Sequence, residues 1–151
     1  VCFVVGNENM RSGLILLAVL GSFGLSGCMN VNNVNTLQVN SSPSKNPTTA
    51  FSKAKVLFAD KMRDPEATRF KPNHTVYDLS NGDQVVCGTA NAKNAMGGYV
   101  GYKPFYVRLR GDRVMASKYP DSTDARVVQA MATDVYRTCN EAASGTMMIM
   151  P

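Results

Sequence analysis

The sequence predicts an α+β fold: a four-stranded antiparallel sheet, built from two hairpins, with an N-terminal and a C-terminal helix packed on one face. Two amphipathic stretches enclose segments that carry strand and turn signals. The length of 151 residues suits one domain and disfavours a multidomain enzyme or a Rossmann or TIM-type fold. With 44% hydrophobic and 18% charged residues, the composition excludes intrinsic disorder and a polytopic membrane protein.

Apolar residues at helical spacing predict the two helices. The first helix ends before Asp64-Pro65, and its stripe comprises Ala50, Phe51, Ala54, Leu57, Phe58 and Met62. The last helix begins near 122–124 and ends at Ser144-Gly145. Its stripe comprises Val127, Val128, Met131, Val135, Cys139 and Ala142.

The strands are predicted between these helices, over 75–79, 84–92, 99–109 and 113–117. Asn81-Gly82 is a strong signal for the first hairpin turn, and Arg110-Gly111-Asp112 supplies the second. Pro104 indicates an edge or a bulge in the third strand. Residues 146–150 are apolar enough to add an edge strand or to cover the core.

The N-terminal segment has the pattern of a secretory signal peptide, predicted over 1–27 with its true start at Met10. Arg11 precedes an apolar run over 14–25, which is shorter than the roughly 20 residues that span a bilayer. The alternative, a buried core helix, is disfavoured by the glycines in this segment.

Leu25-Ser26-Gly27-Cys28 resembles the lipobox of bacterial lipoprotein precursors. The resemblance implies that the Cys28 thiol is acylated, with palmitate among the acyl chains, and that Cys28 becomes the first mature residue. Because Met29 rather than aspartate follows Cys28, the resemblance also implies that in Gram-negative bacteria the lipoprotein is sorted to the outer membrane, where it faces the periplasm. The alternative is cleavage by an ordinary signal peptidase, without lipid.

The mature chain is predicted to comprise a tether over 28–49 and a compact domain over 50–151. The tether is rich in Asn, Ser and Pro and lacks hydrophobic periodicity, so we expect it to be flexible.

Two cysteines remain in the compact domain, Cys87 on a predicted strand and Cys139 on the last helix. In an oxidising compartment such a pair predicts a disulfide. The alternative is two buried free thiols.

Residues 87–105 resemble a stretch of small, mostly uncharacterised exported lipoproteins of Gram-negative bacteria. In that stretch a Cys-Gly strand leads through an Asn-x-x-Asn loop into Gly-Gly-Tyr-x-Gly-Tyr-x-Pro-Phe. The resemblance implies a fold but no activity.

Strand alternation places Phe105, Val107 and Leu109 on a core face. The opposite face predicts a candidate binding surface formed by Tyr102, Tyr106, Arg108 and Arg110. Aromatic rings beside arginines attract anions, which favours an anionic glycan, a lipid headgroup or an acidic envelope protein as partner, and the periplasm disfavours nucleic acid. The alternative is an ordinary solvated sheet face.

Catalytic and metal-binding residue types are scarce. His74 is the single histidine, so the sequence predicts no transition-metal site, no cofactor and no enzyme. The predicted function is that of a non-catalytic, membrane-anchored envelope lipoprotein that binds or supports another envelope component. The alternatives are an inhibitor or immunity-type lipoprotein that neutralises an incoming enzyme or phage and, with less support, a hydrolase.

Overall fold

The computed structural model describes residues 35–150, which form seven strands and two helices. The strands are β1 (Leu37–Pro43), β2 (Arg69–Phe70), β3 (Thr75–Leu79), β4 (Gln84–Asn91), β5 (Lys103–Arg110), β6 (Arg113–Lys118) and β7 (Thr146–Ile149). The helices are α1 (Pro47–Ala59) and α2 (Ala125–Ala143). The predicted signal peptide, its start at Met10 and the lipobox cysteine Cys28 lie outside the described residues.

The strands form one antiparallel sheet in the order β6-β5-β4-β3-β1-β7, and β2 pairs with the end of β4 beyond β3. The sheet curls into a half-barrel. The prediction of a four-stranded sheet is therefore wrong. The four predicted strands are present as the β3–β4 and β5–β6 hairpins, and β1, β2 and β7 extend the sheet.

Strand β1 corrects the predicted tether, because its residues lie inside 28–49. Val39 is its one buried residue, and four of the other six residues are polar, so no apolar pattern marks the strand. The segment forms a strand because its backbone pairs with β3 on one side and with β7 on the other. Such pairing overrides local propensity.

The two helices lie on opposite faces of the sheet, which corrects the prediction that they share one. Side chains of consecutive strand residues point to opposite faces. Val86 belongs to the core that α1 covers, and Val85 belongs to the core that includes Ala142 of α2. The run Val85-Val86-Cys87 is continuously apolar because this part of β4 is buried on both faces.

The core under α1 is built on aromatic rings. Phe58 is 1% exposed, and its ring lies 4.5 Å from Phe105, 5.7 Å from Tyr119 and 5.9 Å from Phe70, measured between centroids. Pro47 occupies the first turn of the helix, where its missing N–H costs no hydrogen bond.

Helix α2 packs on the second face of the sheet and leads into the last strand, β7. Asp124 caps the helix by accepting from the backbone N–H groups of Arg126 and Val127. The helix ends at Ala143 with Ser144 as its C-cap, and Gly145, with φ +96°, turns the chain into β7. The predicted disulfide between Cys87 of β4 and Cys139 of α2 is confirmed, with the two Cα atoms 6.1 Å apart.

Candidate functional site: the arginine groove

A groove of about 460 Å³ lies between α2, β5, β6 and the last residues of the domain. We call it the arginine groove; its lining includes Tyr106, Arg108, Met115, Arg137, Met147 and Met150. Its walls are largely apolar and rich in methionine, and the buried charge among them belongs to Arg108.

The strand pleat and the curl of the sheet together place Arg108 in this groove. Phe105, Val107 and Leu109 of β5 point into the α1 core, so Arg108 points to the α2 face. There Arg108 reaches the residue that follows β7, and its Nη2 donates to the backbone carbonyl of Met150 at 2.7 Å. The Arg108 side chain is consequently only 7% exposed.

Arg108 is incompletely hydrogen-bonded. Its Nε and Nη1 are buried and have no acceptor among the described residues. The nearest carboxylate oxygen, Oδ2 of Asp83, lies 3.6 Å from Nη1, beyond hydrogen-bond distance. Buried polar groups are usually satisfied, so these two nitrogens call for an explanation.

Asp83 forms an ion pair with Arg108 at 3.6 Å but makes its hydrogen bonds to Arg110 instead. Arg110 donates from Nε to Oδ1 at 2.6 Å and from Nη2 to Oδ2 at 3.2 Å, a two-pronged ion pair that raises the pKa of Arg110. Asn81 donates a further hydrogen bond to Oδ2. The Asp83 side chain is fully buried, in the turn that Gly82 closes at φ +86°. One carboxylate thus faces two guanidinium groups.

Two cations and two carboxylates pair at the rim of the groove, where Lys118 also holds Asp134. Arg137 is 63% exposed and pairs with Asp134 at 3.1 Å and Glu141 at 3.5 Å. These carboxylates, Asp134 first, raise the pKa of Arg137. The positive charge that lacks a hydrogen-bonded carboxylate therefore lies at Arg108.

The four residues of the sequence-predicted binding surface have different surroundings. Tyr106 and Arg108 line the groove. Arg110 is half exposed but is held by Asp83. Tyr102 is 45% exposed and does not line the groove; its ring contacts the ammonium of Lys71 instead, at 4.9 Å. The structure therefore brings together two of the four side chains, on a face that α2 covers.

Sequence reasoning missed Asp83, Arg137 and the methionines of the last strand as parts of this site. The apolar stretch 146–150 was a usable signal, since it predicted cover for the core. The position of Asp83 beside a strand-face arginine depends on the hairpin register, in which Gln84 pairs with Leu109. Composition and spacing carry no such information.

A second cleft, of about 550 Å³, lies beside the disulfide and is lined by His74, Val135, Tyr136 and both cystine residues. The ring of His74 stacks on Phe51 at 3.8 Å, and its Nδ1 lies 2.6 Å from the carbonyl oxygen of Pro72. These contacts give His74 a packing role in the loop before β3.

The Asn- and Gly-rich loop after β4 is held by local hydrogen bonds. Oδ1 of Asn94 accepts from the N–H groups of Met96 and Gly98, and Gly97 has φ +81°. Nearby, Lys93 donates to Asp64 at 2.8 Å, and this hydrogen bond lowers the pKa of Asp64.

Within residues 35–150, no group of three or more His, Cys, Asp or Glu side chains could hold a metal ion. None of the helices in that range is long and apolar enough to cross a membrane. No protein-family model, curated protein or solved structure matches the chain. The resemblance to exported lipoproteins therefore stays a prediction.

Proposed function

We propose that this chain is a non-catalytic lipoprotein that binds another component of the cell envelope through the arginine groove. In this proposal Cys28 carries the lipid that anchors the protein to the outer membrane, facing the periplasm. The lipobox Leu25-Ser26-Gly27-Cys28 and the apolar run before it support the anchor. The Cys87–Cys139 disulfide supports an oxidising compartment.

The observation that carries the proposal is the incompletely paired Arg108 in an apolar groove. A buried charge costs free energy unless it is paired, and the surrounding residues leave this pairing incomplete. An anionic group on a partner would supply the missing acceptors. The planar guanidinium of Arg108 offers N–H donors that suit an anion, which favours binding over catalysis.

Crosslinking in the native envelope tests the binding function. The wild-type protein is compared with Thr138→Trp, which fills the groove from α2 without removing a contact of Arg108. Arg113→Gln is the control, since it removes one positive charge from an exposed residue of β6. We expect envelope proteins or glycans to be captured by wild type and by Arg113→Gln, and lost with Thr138→Trp.

Two results would contradict the proposal. Capture of the same molecules by all three proteins would place binding outside the groove. Capture of a lytic enzyme or phage protein instead of resident envelope components would favour the inhibitor alternative. The anchor is tested separately by mass spectrometry of the native protein, where an unmodified N-terminus would exclude lipidation at Cys28.

A further inference from the structure

We infer that the arginine groove takes a carboxylate that carries a single apolar chain, a ligand of the fatty-acid class, with the carboxylate held by Arg108. The inference rests on the proposed function, because it assigns a ligand to the same groove. It follows from the charge, the volume and the lining of the site.

The charge of the site selects an anion. Asp83 meets Arg110 through two hydrogen bonds, whereas its closest approach to Arg108 is 3.6 Å. The two buried charges, Asp83 and Arg108, are of opposite sign, but the half-exposed Arg110 takes the hydrogen bonds of Asp83, and Arg108 retains N–H groups on Nε and Nη1 without acceptors among the described residues. The planar guanidinium matches the geometry of a carboxylate.

The magnitude of the charge favours a carboxylate over a phosphate monoester. A carboxylate carries one negative charge and matches the one guanidinium, that of Arg108, whose N–H groups lack acceptors among the described residues. A phosphate monoester carries about −1.5 to −2 at neutral pH and would leave a buried negative charge. Uncompensated charge in an apolar groove is costly, whichever its sign.

The volume and the walls select the rest of the ligand. About 460 Å³ lies within the roughly 300–1,000 Å³ of small-molecule sites. Met115, Met147, Met148, Ile149 and Met150 supply apolar walls that suit a hydrocarbon chain.

The same walls provide a route to Arg108. Its Nη2 is bonded to the carbonyl oxygen of Met150, the last described residue, and the Met148 and Met150 side chains are 52% and 66% exposed. Methionine side chains adapt their shape readily. We therefore expect the carboxylate to accept from Nη2 in place of the Met150 carbonyl and from the neighbouring Nε or Nη1, with repacking confined to the methionines.

The test uses the full protein purified from its native envelope, reconstituted in vesicles of phosphatidylethanolamine and phosphatidylglycerol. The probe is a palmitic acid with a photoreactive diazirine on its chain, and the matched controls are the corresponding alcohol and a diazirine phospholipid. Labelled peptides are identified by mass spectrometry. We expect the acid to label peptides covering 137–141 and 146–150 at least tenfold more than the alcohol, and unlabelled palmitate to compete.

Three variants separate the role of Arg108 from that of the apolar walls. Thr138→Trp should abolish labelling, and Arg113→Gln should leave it unchanged. Arg108→Met should lower labelling by the acid to the level of the alcohol. If Arg108→Met fails to fold, as judged by circular dichroism, the comparison of acid with alcohol in the wild-type protein decides.

Equal labelling by acid and alcohol, or preferential labelling by the phospholipid, would overturn the inference. So would labelling that persists in Thr138→Trp. If envelope partners are lost with Thr138→Trp but the acid does not label, the proposed binding function stands and the ligand class is wrong. If Thr138→Trp changes neither capture nor labelling, both are wrong.

Discussion

Removal of the Cys87–Cys139 disulfide is the perturbation whose cost the structure defines best. The bond joins the centre of β4 to α2 and closes a loop with a sequence separation of 52 residues. Chain-entropy arguments give a loop of this length about 4 kcal/mol of stabilisation, because the cross-link restricts the unfolded chain. That is a large share of the roughly 5–15 kcal/mol that stabilises a typical domain.

The test compares the purified wild-type protein with the double variant Cys87→Ala/Cys139→Ala in urea and thermal unfolding. With m values of about 1–3 kcal/mol/M, a loss of 4 kcal/mol lowers the urea midpoint by roughly 1.3–4 M. The melting temperature should fall by roughly 15 °C for a domain of this size. Reduced wild-type protein is the control, since it lacks the cross-link but keeps both sulfur atoms.

The loop-entropy reasoning would be refuted by a double variant that loses less than about 1 kcal/mol. It would also be refuted if reduced wild type stayed as stable as the oxidised protein while the double variant did not. Packing of the two sulfur atoms in the α2 core would then account for the effect.

Three further predictions concern the core, a helix cap and an ion pair. Phe58→Ala should lower the free energy of unfolding by about 3–5 kcal/mol, because this residue is 1% exposed and packs among other aromatic rings. The control Val56→Ala, on the exposed side of α1, should change the free energy of unfolding by less than about 0.5 kcal/mol. Similar losses in both variants would contradict the packing. Asp124→Ala should cost about 1 kcal/mol in urea unfolding, since the carboxylate caps α2, whereas Asp124→Asn should restore most of it. Lys118→Met should raise the pKa of Asp134 toward its ordinary value of 3.8, measured by carbon-13 NMR titration, because the Lys118 hydrogen bond is the largest cause of its lowered pKa. Because the native pKa of Asp134 is lowered, the ion pair stabilises the fold above about pH 4, and this stabilisation is lost as pH falls through the native pKa. Wild type should therefore lose more stability on acidification than Lys118→Met. An unchanged pKa of Asp134 in Lys118→Met would contradict the assignment.

Local signals were sufficient for several elements. Asn81-Gly82 predicted the first hairpin because the turn needs a residue with positive φ, and Gly82 has φ +86°. The apolar stripe and the polar cap before it predicted α2, which begins directly after Asp124. Cys87 and Cys139 were predicted to pair because they were the two cysteines left in the domain.

Other elements depend on contacts that local pattern does not encode. Strand β1 reads as a polar linker, and its order comes from backbone pairing with β3 and β7. The continuous apolar run Val85-Val86-Cys87 indicates that β4 is buried on both faces. The side of the sheet on which each helix packs depends on how the sheet curls. The candidate surface shows the same limit, since alternation predicted that Tyr106 and Arg108 share a face and could not reveal that α2 covers it.

The sequence alone determined the helices, the two hairpins and the cysteine pair, because each depends on neighbours along the chain or on a count of residue types. Only the tertiary structure decided the size of the sheet, the opposite placement of the helices and the burial of Arg108 beside a carboxylate already held by Arg110. The physical reason is the distance along the chain between the partners. Asp83, Arg108 and Met150 come from three separate segments, and strand register and sheet curvature, which bring them together, are properties of the whole domain.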